Sequence, residues 1–242
     1  MSAAPQFGPL IGPDGITFRL WAPAAKSVEL LAGETHPMTR SGNGWFETTV
    51  AGAKPGARYL FRIDGEIDVA DPASRFQPHD ISGPSEVIDP KFEWRAADWK
   101  GRPWTECVFM ELHVGTFTPA GTFRGVIGEL DRLAELGITA IELMPLSDFP
   151  GRWNWGYDGV LPFAPDGVYG RPEDLKALID AAHQRGLMVF LDVVYNHFGP
   201  EGNYLGRYAP KFFVEAQTPW GRAIDYRAVS YTHLTLPTIY SV

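Results

Sequence analysis

The chain has 242 residues, 45% hydrophobic and 21% charged, with a formal net charge of −8; this balance can build a large core and is neither disordered nor membrane-like. Its acids are interspersed and no lysine/arginine cluster occurs, which excludes electrostatic capture of nucleic acid or of an anionic membrane and favours a neutral ligand. One cysteine, Cys107, cannot form an internal disulfide, and no N-terminal stretch joins basic residues to a continuous apolar run, so a reducing cytoplasm is the expected compartment.

At this length the expectation is a compact module followed by part of a larger one. Alternating segments at Ile16 to Trp21, Ser27 to Leu31, Trp45 to Val50 and Arg58 to Ile63 predict strands. Their separators, Pro13-Asp14-Gly15, Gly42-Asn43-Gly44 and Lys54-Pro55-Gly56, supply preset or positive φ and let neighbours reverse tightly. A small antiparallel sandwich follows. Residues 71–90 are rich in proline, serine and aspartate without periodicity, which predicts a connection, and the domain boundary falls near Ala97.

Beyond it the period switches. Val108 to Leu112 predicts a short strand. Phe123 to Leu136 predicts a helix with Val126, Ile127, Leu130 and Leu133 on one face and Gly137 at its end. Ile138 to Met144 returns as a buried strand. Arg171-Pro172-Glu173-Asp174 then opens a helix whose stripe is Leu175, Leu178, Ile179 and Ala182, closed by Gly186 before a strand over Leu187 to Val194. This repetition demands a parallel sheet, either doubly wound or closed into a barrel. No glycine-rich phosphate loop follows the first strand, which favours the barrel.

A barrel carries its chemistry at the C-terminal ends of its strands, so the loop from Leu146 to Gly170 and the segment Asp192 to His197 are expected at one mouth. Trp153-Asn154-Trp155-Gly156-Tyr157-Asp158-Gly159 joins flat apolar rings to amide and carboxylate groups, the combination a polyhydroxylated ring needs. Two readings stand for this loop, a packed structural lid or a sugar platform. Asp192 and His197 have the same two readings, loop-bonded and packed or ligand-facing, because a carboxylate closing a buried strand needs a partner either way. No His-Glu-x-x-His pair or paired-cysteine array occurs, so no essential metal is expected.

Asp192-Val193-Val194-Tyr195-Asn196-His197 resembles the first signature region of the alpha-amylase superfamily, glycoside hydrolase family 13. Glu111-Leu112-His113-Val114-Gly115-Thr116-Phe117, Ile141-Glu142-Leu143-Met144-Pro145-Leu146 and Asn154-Trp155-Gly156-Tyr157-Asp158-Gly159-Val160 are similar to its malto-oligosyltrehalose trehalohydrolase branch. So are Asp71-Pro72-Ala73-Ser74-Arg75-Phe76-Gln77-Pro78 and Gly83-Pro84-Ser85-Glu86-Val87-Ile88-Asp89-Pro90, and the resemblance covers about residues 7 to 226. It implies an early-set, immunoglobulin-like β-sandwich related to carbohydrate-binding modules (1–97), followed by the first part of a (β/α)8 barrel (98–228). It also implies cleavage of the alpha-1,4 bond beside a terminal trehalose unit of maltooligosyltrehalose or a related alpha-glucan. By motif, Tyr157 is implied to stack on the sugar before the cleaved bond, His197 to bond its hydroxyls and Asp192 to support the pocket. Trp153, Trp155 and Asp158 are implied to lie nearby. Asn196 matches a position that ligates calcium in many alpha-amylases, an ion the trehalohydrolases do not generally need, so no cofactor is implied. Branching or debranching enzymes and a non-catalytic glucan-binding protein are the other classes compatible with these residues.

The family mechanism is retaining, with an aspartate nucleophile after strand four, a glutamate acid after strand five and a stabilising aspartate after strand seven. The chain is expected to reach only strand three. Residues 105 to 228 are 124 positions (228 − 104), against about 250 for a whole barrel. No catalytic carboxylate is therefore assigned within it, and it is expected to be inactive by itself. Val229-Ser230-Tyr231-Thr232-His233-Leu234-Thr235-Leu236-Pro237-Thr238 resembles a translated sequencing adapter, so 229–242 is expected to be foreign; the other reading is a genuine strand rich in Thr, Tyr and Val.

Overall fold

A computed structural model describes residues 7–227; the reading of 229–242 as a foreign tail lies outside the described residues. The four predicted N-terminal strands form, joined by shorter ones that alternation was too brief to signal. In chain order they are β1 (Leu10–Gly12), β2 (Gly15–Trp21), β3 (Val28–Ala32), β4 (Glu34–Pro37), β5 (Thr39–Arg40), β6 (Trp45–Ala51), β7 (Arg58–Ile63), β8 (Ile67–Val69) and β9 (Ser85–Glu86). One sheet runs β1-β2-β6-β5 and the other β4-β3-β7-β8, with β9 also beside β7; every pairing is antiparallel. Alternation places Ile16, Phe18 and Leu20 of one sheet inward with Leu30, Tyr59, Phe61 and Ile63 of the other. Phe18 meets the Tyr59 ring edge-on at 4.8 Å.

The 71–90 connection is more than a tether. Asp71, Ser74, Gln77, Ser85 and Glu86 are all buried, and each polar group is matched, Glu86 by Arg171 and the others nearer by. Asp71 accepts from the Tyr59 hydroxyl at 2.6 Å and the Ala73 amide at 2.8 Å, while Gln77 Nε2 donates to the carbonyls of Asp80, Ile81 and Gly83. Its loop-like composition conceals a core because these side chains satisfy the backbone in place of a ladder. Burial pushes the Asp71 carboxyl up to about 6, against the opposing bonds from Tyr59 and Ala73. Its folded pKa is thus raised, so the stability linked to it is present below about pH 4 and declines as pH rises towards about 6. Tyr59→Phe removes a donor that favours the carboxylate; it is expected to destabilise by about 1–3 kcal/mol at pH 7 and by less at pH 4, as read from urea midpoints.

The second unit contains three parallel strands, β10 (Phe109–Leu112), β11 (Ala140–Leu143) and β14 (Met188–Leu191), in that spatial order. After β10 come α1 (Val114–Phe117), α2 (Phe123–Ile127) and α3 (Leu130–Glu135). The predicted single helix over 123–136 is thus two, interrupted at Gly128-Glu129. The Thr122 hydroxyl caps α2 by accepting from the Gly125 amide at 3.2 Å. Gly137, at φ 86°, ends α3 with the paired amide bonds Gly137 to Ala134 and Ile138 to Leu133, a Schellman closure. Helix α4 (Pro172–Gln184) starts as predicted, with Pro172 in its first turn and Asp174 accepting from the Arg171 amide at 3.1 Å; Gly186 ends it in the same way as Gly137. Leu112, Ile141, Leu143 and Val189 face Leu130, Leu133, Leu178 and Ala182 of the helices. The opposite sheet face carries Phe109 and Phe190, 4.9 Å apart, with Trp104 against Phe109 at 5.5 Å.

Between β11 and α4 the mouth loop folds on a ribbon of β12 (Ser147–Asp148) and β13 (Leu161–Pro165). After β14, a short helix α5 (Leu205–Tyr208) and the hairpin β15 (Phe213–Thr218) and β16 (Gly221–Ile224) do not stay with the parallel sheet. Phe198, Leu205, Tyr208, Phe212, Phe213 and Ile224 enter the same core cluster as Phe18 and Phe61 of the sandwich. The Ala24 amide donates to the Tyr208 carbonyl at 3.0 Å. The two units are also pinned by Arg171 Nη2 to Glu86 Oε1 at 2.7 Å and by Asp180 Oδ1, which accepts the Arg95 and Ala96 amides at 2.9 Å.

Candidate functional site

The mouth is built where the end of β11, the ribbon loop and the segment after β14 converge. Parallel pairing in register, Leu112 with Leu143 and Leu143 with Leu191, brings all three strand ends to one level. The first residues of the following segments therefore share a rim. Gly156 makes the loop's close approach: its φ is 99°, and a Cβ there would lie 2.3 Å from the Pro145 carbonyl oxygen. Its amide donates to Asn154 Oδ1 at 2.7 Å, and Asn154 Nδ2 donates to Asp158 Oδ2 at 3.2 Å. Asp158 is thus used in bracing the loop.

The structure brings Tyr157, Asp192, His197 and Asn196 together. The Tyr157 hydroxyl donates to Asp192 Oδ2 at 2.8 Å. His197 Nε2 donates to the Tyr157 carbonyl at 2.8 Å, and its Nδ1 lies 3.2 Å from Asn196 Oδ1. His197 is buried and Tyr157 is 40% exposed, so the tyrosine ring presents an accessible surface while histidine supports its backbone. The bond to Asp192, followed by partial burial and the carboxylates of Asp192, Glu111 and Glu142, pushes the Tyr157 phenol above its ordinary range. It therefore remains a hydroxyl donor in an acid-lined mouth.

Trp153 and Trp155 stand outside this cluster, 77% and 74% exposed. Trp155 has the His113 ring at 6.4 Å, and His113 Nε2 lies 2.8 Å from the Asn154 carbonyl. Sequence reasoning missed Trp220. It is 43% exposed and stacks on His197, ring centroids 4.7 Å apart and planes 29° apart. Its place depends on the hairpin turn, where the Thr218 hydroxyl accepts from the Trp220 amide at 3.2 Å; only the Thr218-Pro219-Trp220 motif hinted at it. Flat rings, a phenol, an imidazole and carboxylates around one opening suit a neutral polyhydroxylated ligand held by stacking and hydrogen bonds. Among the described residues no group of three His, Cys, Asp or Glu side chains is placed to hold a metal ion.

Comparison with known proteins bears on the family and the fold. The family model for the alpha amylase catalytic domain matches residues 74–216, and that for carbohydrate-binding module 48, the isoamylase N-terminal domain, matches residues 6–76. A malto-oligosyltrehalose trehalohydrolase of Deinococcus radiodurans is 52% identical over 90% of the chain, and one of Saccharolobus solfataricus is 46% identical over 91%. The chain spans 36% and 40% of their respective lengths. A crystal structure from Salmonella typhimurium, of a protein assigned to the alpha amylases, superposes with a TM-score of 0.92 at 49% identity over 96% of the chain and 40% of its own.

Proposed function

The chain belongs to the alpha-amylase catalytic-domain family, and from that membership we propose that its parent protein hydrolyses maltooligosyltrehalose. The bond cleaved is the alpha-1,4 linkage beside the terminal trehalose, and free trehalose is the product. The observation that carries this reading is the mouth of Tyr157, Asp192 and His197, in a chain 52% identical to a relative named for that activity.

In this reading Tyr157 supplies the stacking face, Asp192 fixes its hydroxyl and His197 holds its backbone in place. Asn196 fixes the imidazole, while Trp153, Trp155 and Trp220 offer outer faces to further glucose units. The reaction is retaining and uses two carboxylates roughly 5–5.5 Å apart. Asp158 and Asp192 are already bonded to Asn154 and Tyr157, so neither is assigned as nucleophile or acid. With no carboxylate assigned to either role, the 242-residue chain is expected to release no trehalose by itself. A single cysteine suits work in a reducing cytoplasm.

The test is incubation of the full-length protein with maltooligosyltrehalose, with products followed by chromatography and by NMR at the anomeric carbon. Trehalose release, with the new reducing end first appearing in the alpha form, is expected. New alpha-1,6 branch points on maltodextrin, or an absence of trehalose, would overturn the assignment.

A further inference from the structure

Three aspartates meet beneath the mouth loop. Asp148 ends β12 just before the loop, Asp166 follows β13 just after it, and Asp80 arrives from the connection to the sandwich. Asp166 accepts from the amides of Phe149 at 3.0 Å and Val168 at 2.8 Å. Asp80, at φ 82°, accepts from the amides of Ile81 at 2.6 Å and Gly151 at 2.9 Å. The Asp148 carbonyl accepts from the Val160 amide at 2.8 Å. Both ends of the loop that carries Trp153, Trp155 and Tyr157 therefore hang on these three residues.

The Asp148 carboxyl is the odd member. It is 1% exposed, and its Oδ1 has no hydrogen-bond partner among the described residues. No ion pair among the described residues includes any of the three aspartates. Asp148 and Asp166 are both buried, and two charges placed together there without a cation would be strongly unfavourable. No group of acids there is placed to hold a metal ion, which leaves a proton as the neutraliser. Asp166 and Asp80 each accept two backbone amides, which stabilise a carboxylate; Asp148 has no such set, so the proton belongs on it.

We propose that Asp148 is folded into the chain as the neutral acid and positions the mouth loop, and that its ionisation in alkaline solution loosens the loop. The groups facing it are Asp166 from the end of β13, Asp80 from the connection and the Gly167 amide. Burial first, then Asp166 and Asp80, push Asp148 up to about 9, opposed by Gly167; burial pushes Asp166 up to about 6. Near neutral pH the pair thus holds one charge. Because the folded pKa is the raised one, the stability linked to Asp148 is full below about pH 4 and falls progressively until about pH 9. The bearing on sugar binding rests on the glucan reading above; the protonation and the loop anchoring do not.

The test uses infrared spectra of the 242-residue chain labelled with carbon-13 aspartate. A carbonyl stretch of a buried, protonated aspartic acid is expected at pH 7, persisting until about pH 9 and absent from Asp148→Asn. Asp166→Asn, which removes a facing charge, is expected to lower the midpoint at which the band disappears. Exchange protection of the Phe149 and Gly151 amides is expected to drop through the same pH range in the wild type and to stay level in Asp148→Asn. A folded wild-type chain with no such band at pH 7, or a band unchanged in Asp148→Asn, would overturn the proposal. If the asparagine variant does not fold, the wild-type titration and the Asp166→Asn midpoint decide it.

Discussion

Phe212→Ala is expected to destabilise the chain by about 3–5 kcal/mol, the range for deleting a fully buried aromatic ring. The effect should be on the sandwich, although Phe212 lies 143 positions (212 − 69) after the end of that unit's strand β8. Its ring packs against Phe198 at 5.9 Å and Phe213 at 5.7 Å within the cluster that includes Phe18 and Phe61. Leu136→Ala, on a side chain 67% exposed, is the control and should change stability by no more than about 0.5 kcal/mol. By the same packing, residues 4–90 alone are expected to be less stable than the 242-residue chain. Cut there, the sandwich loses the aromatic side chains that close its core. Its urea midpoint should lie below that of the 242-residue chain, and a dye for exposed apolar surface should bind it. An equal or higher midpoint would show that the C-terminal segment adds nothing to that core.

The second large effect is expected at Gly199. A Cβ there would sit 2.0 Å from the Asp158 carbonyl oxygen and 2.8 Å from its carbon, backbone against backbone. The Gly199 amide also donates to the Gly159 carbonyl at 2.9 Å. Gly199→Ala must therefore push the segment that carries Asp192 and His197 away from the loop that carries Tyr157, at roughly 1–3 kcal/mol. Both bonds that define the mouth, Tyr157 to Asp192 and His197 to the Tyr157 carbonyl, lengthen together. Affinity for maltodextrin, measured by calorimetry, should fall by at least about tenfold, as the loss of one hydrogen bond to a charged group implies. Gly206→Ala is the matched control, since nothing lies within 4 Å of a Cβ there and the residue is in α5. If Gly199→Ala binds glucan as well as Gly206→Ala does, the mouth is not where the sugar sits.

What could be read without coordinates followed from the period of the hydrophobic residues. The inward sets of β2 and β7 alternate over seven and six residues, and the α4 stripe returns every three or four positions, so fold class and the longer elements were legible. Strands such as β5 and β9, two residues each, have no room for a period. The break of the 123–136 helix at Gly128 was also hidden, because Val126 and Leu130 still look like one stripe. At the mouth, Tyr157, Asp192 and His197 could be named from residue type and motif, and their separations of 35 and 40 positions in sequence are closed by the register of β11 with β14. Trp220 could not, because its stack on His197 depends on a hairpin that packs against the other unit. Asp148 was passed over because burial, which gives it its chemistry, has no signature in an Ser-Asp-Phe-Pro stretch.

The return of α5 and its hairpin to the sandwich also sets a clock. The last ladder strand of that unit's sheets before the connection, β8, ends at Val69, and the core residue Ile224 comes 155 residues later (224 − 69). At ~5–20 residues per second of synthesis, the first unit to leave the ribosome waits on the order of ten seconds or more for its aromatic plug. During that interval its apolar interior has only the polypeptide already made, or a chaperone, to cover it. Order of synthesis and order of completion are thus inverted, since the module made first is among the last to close.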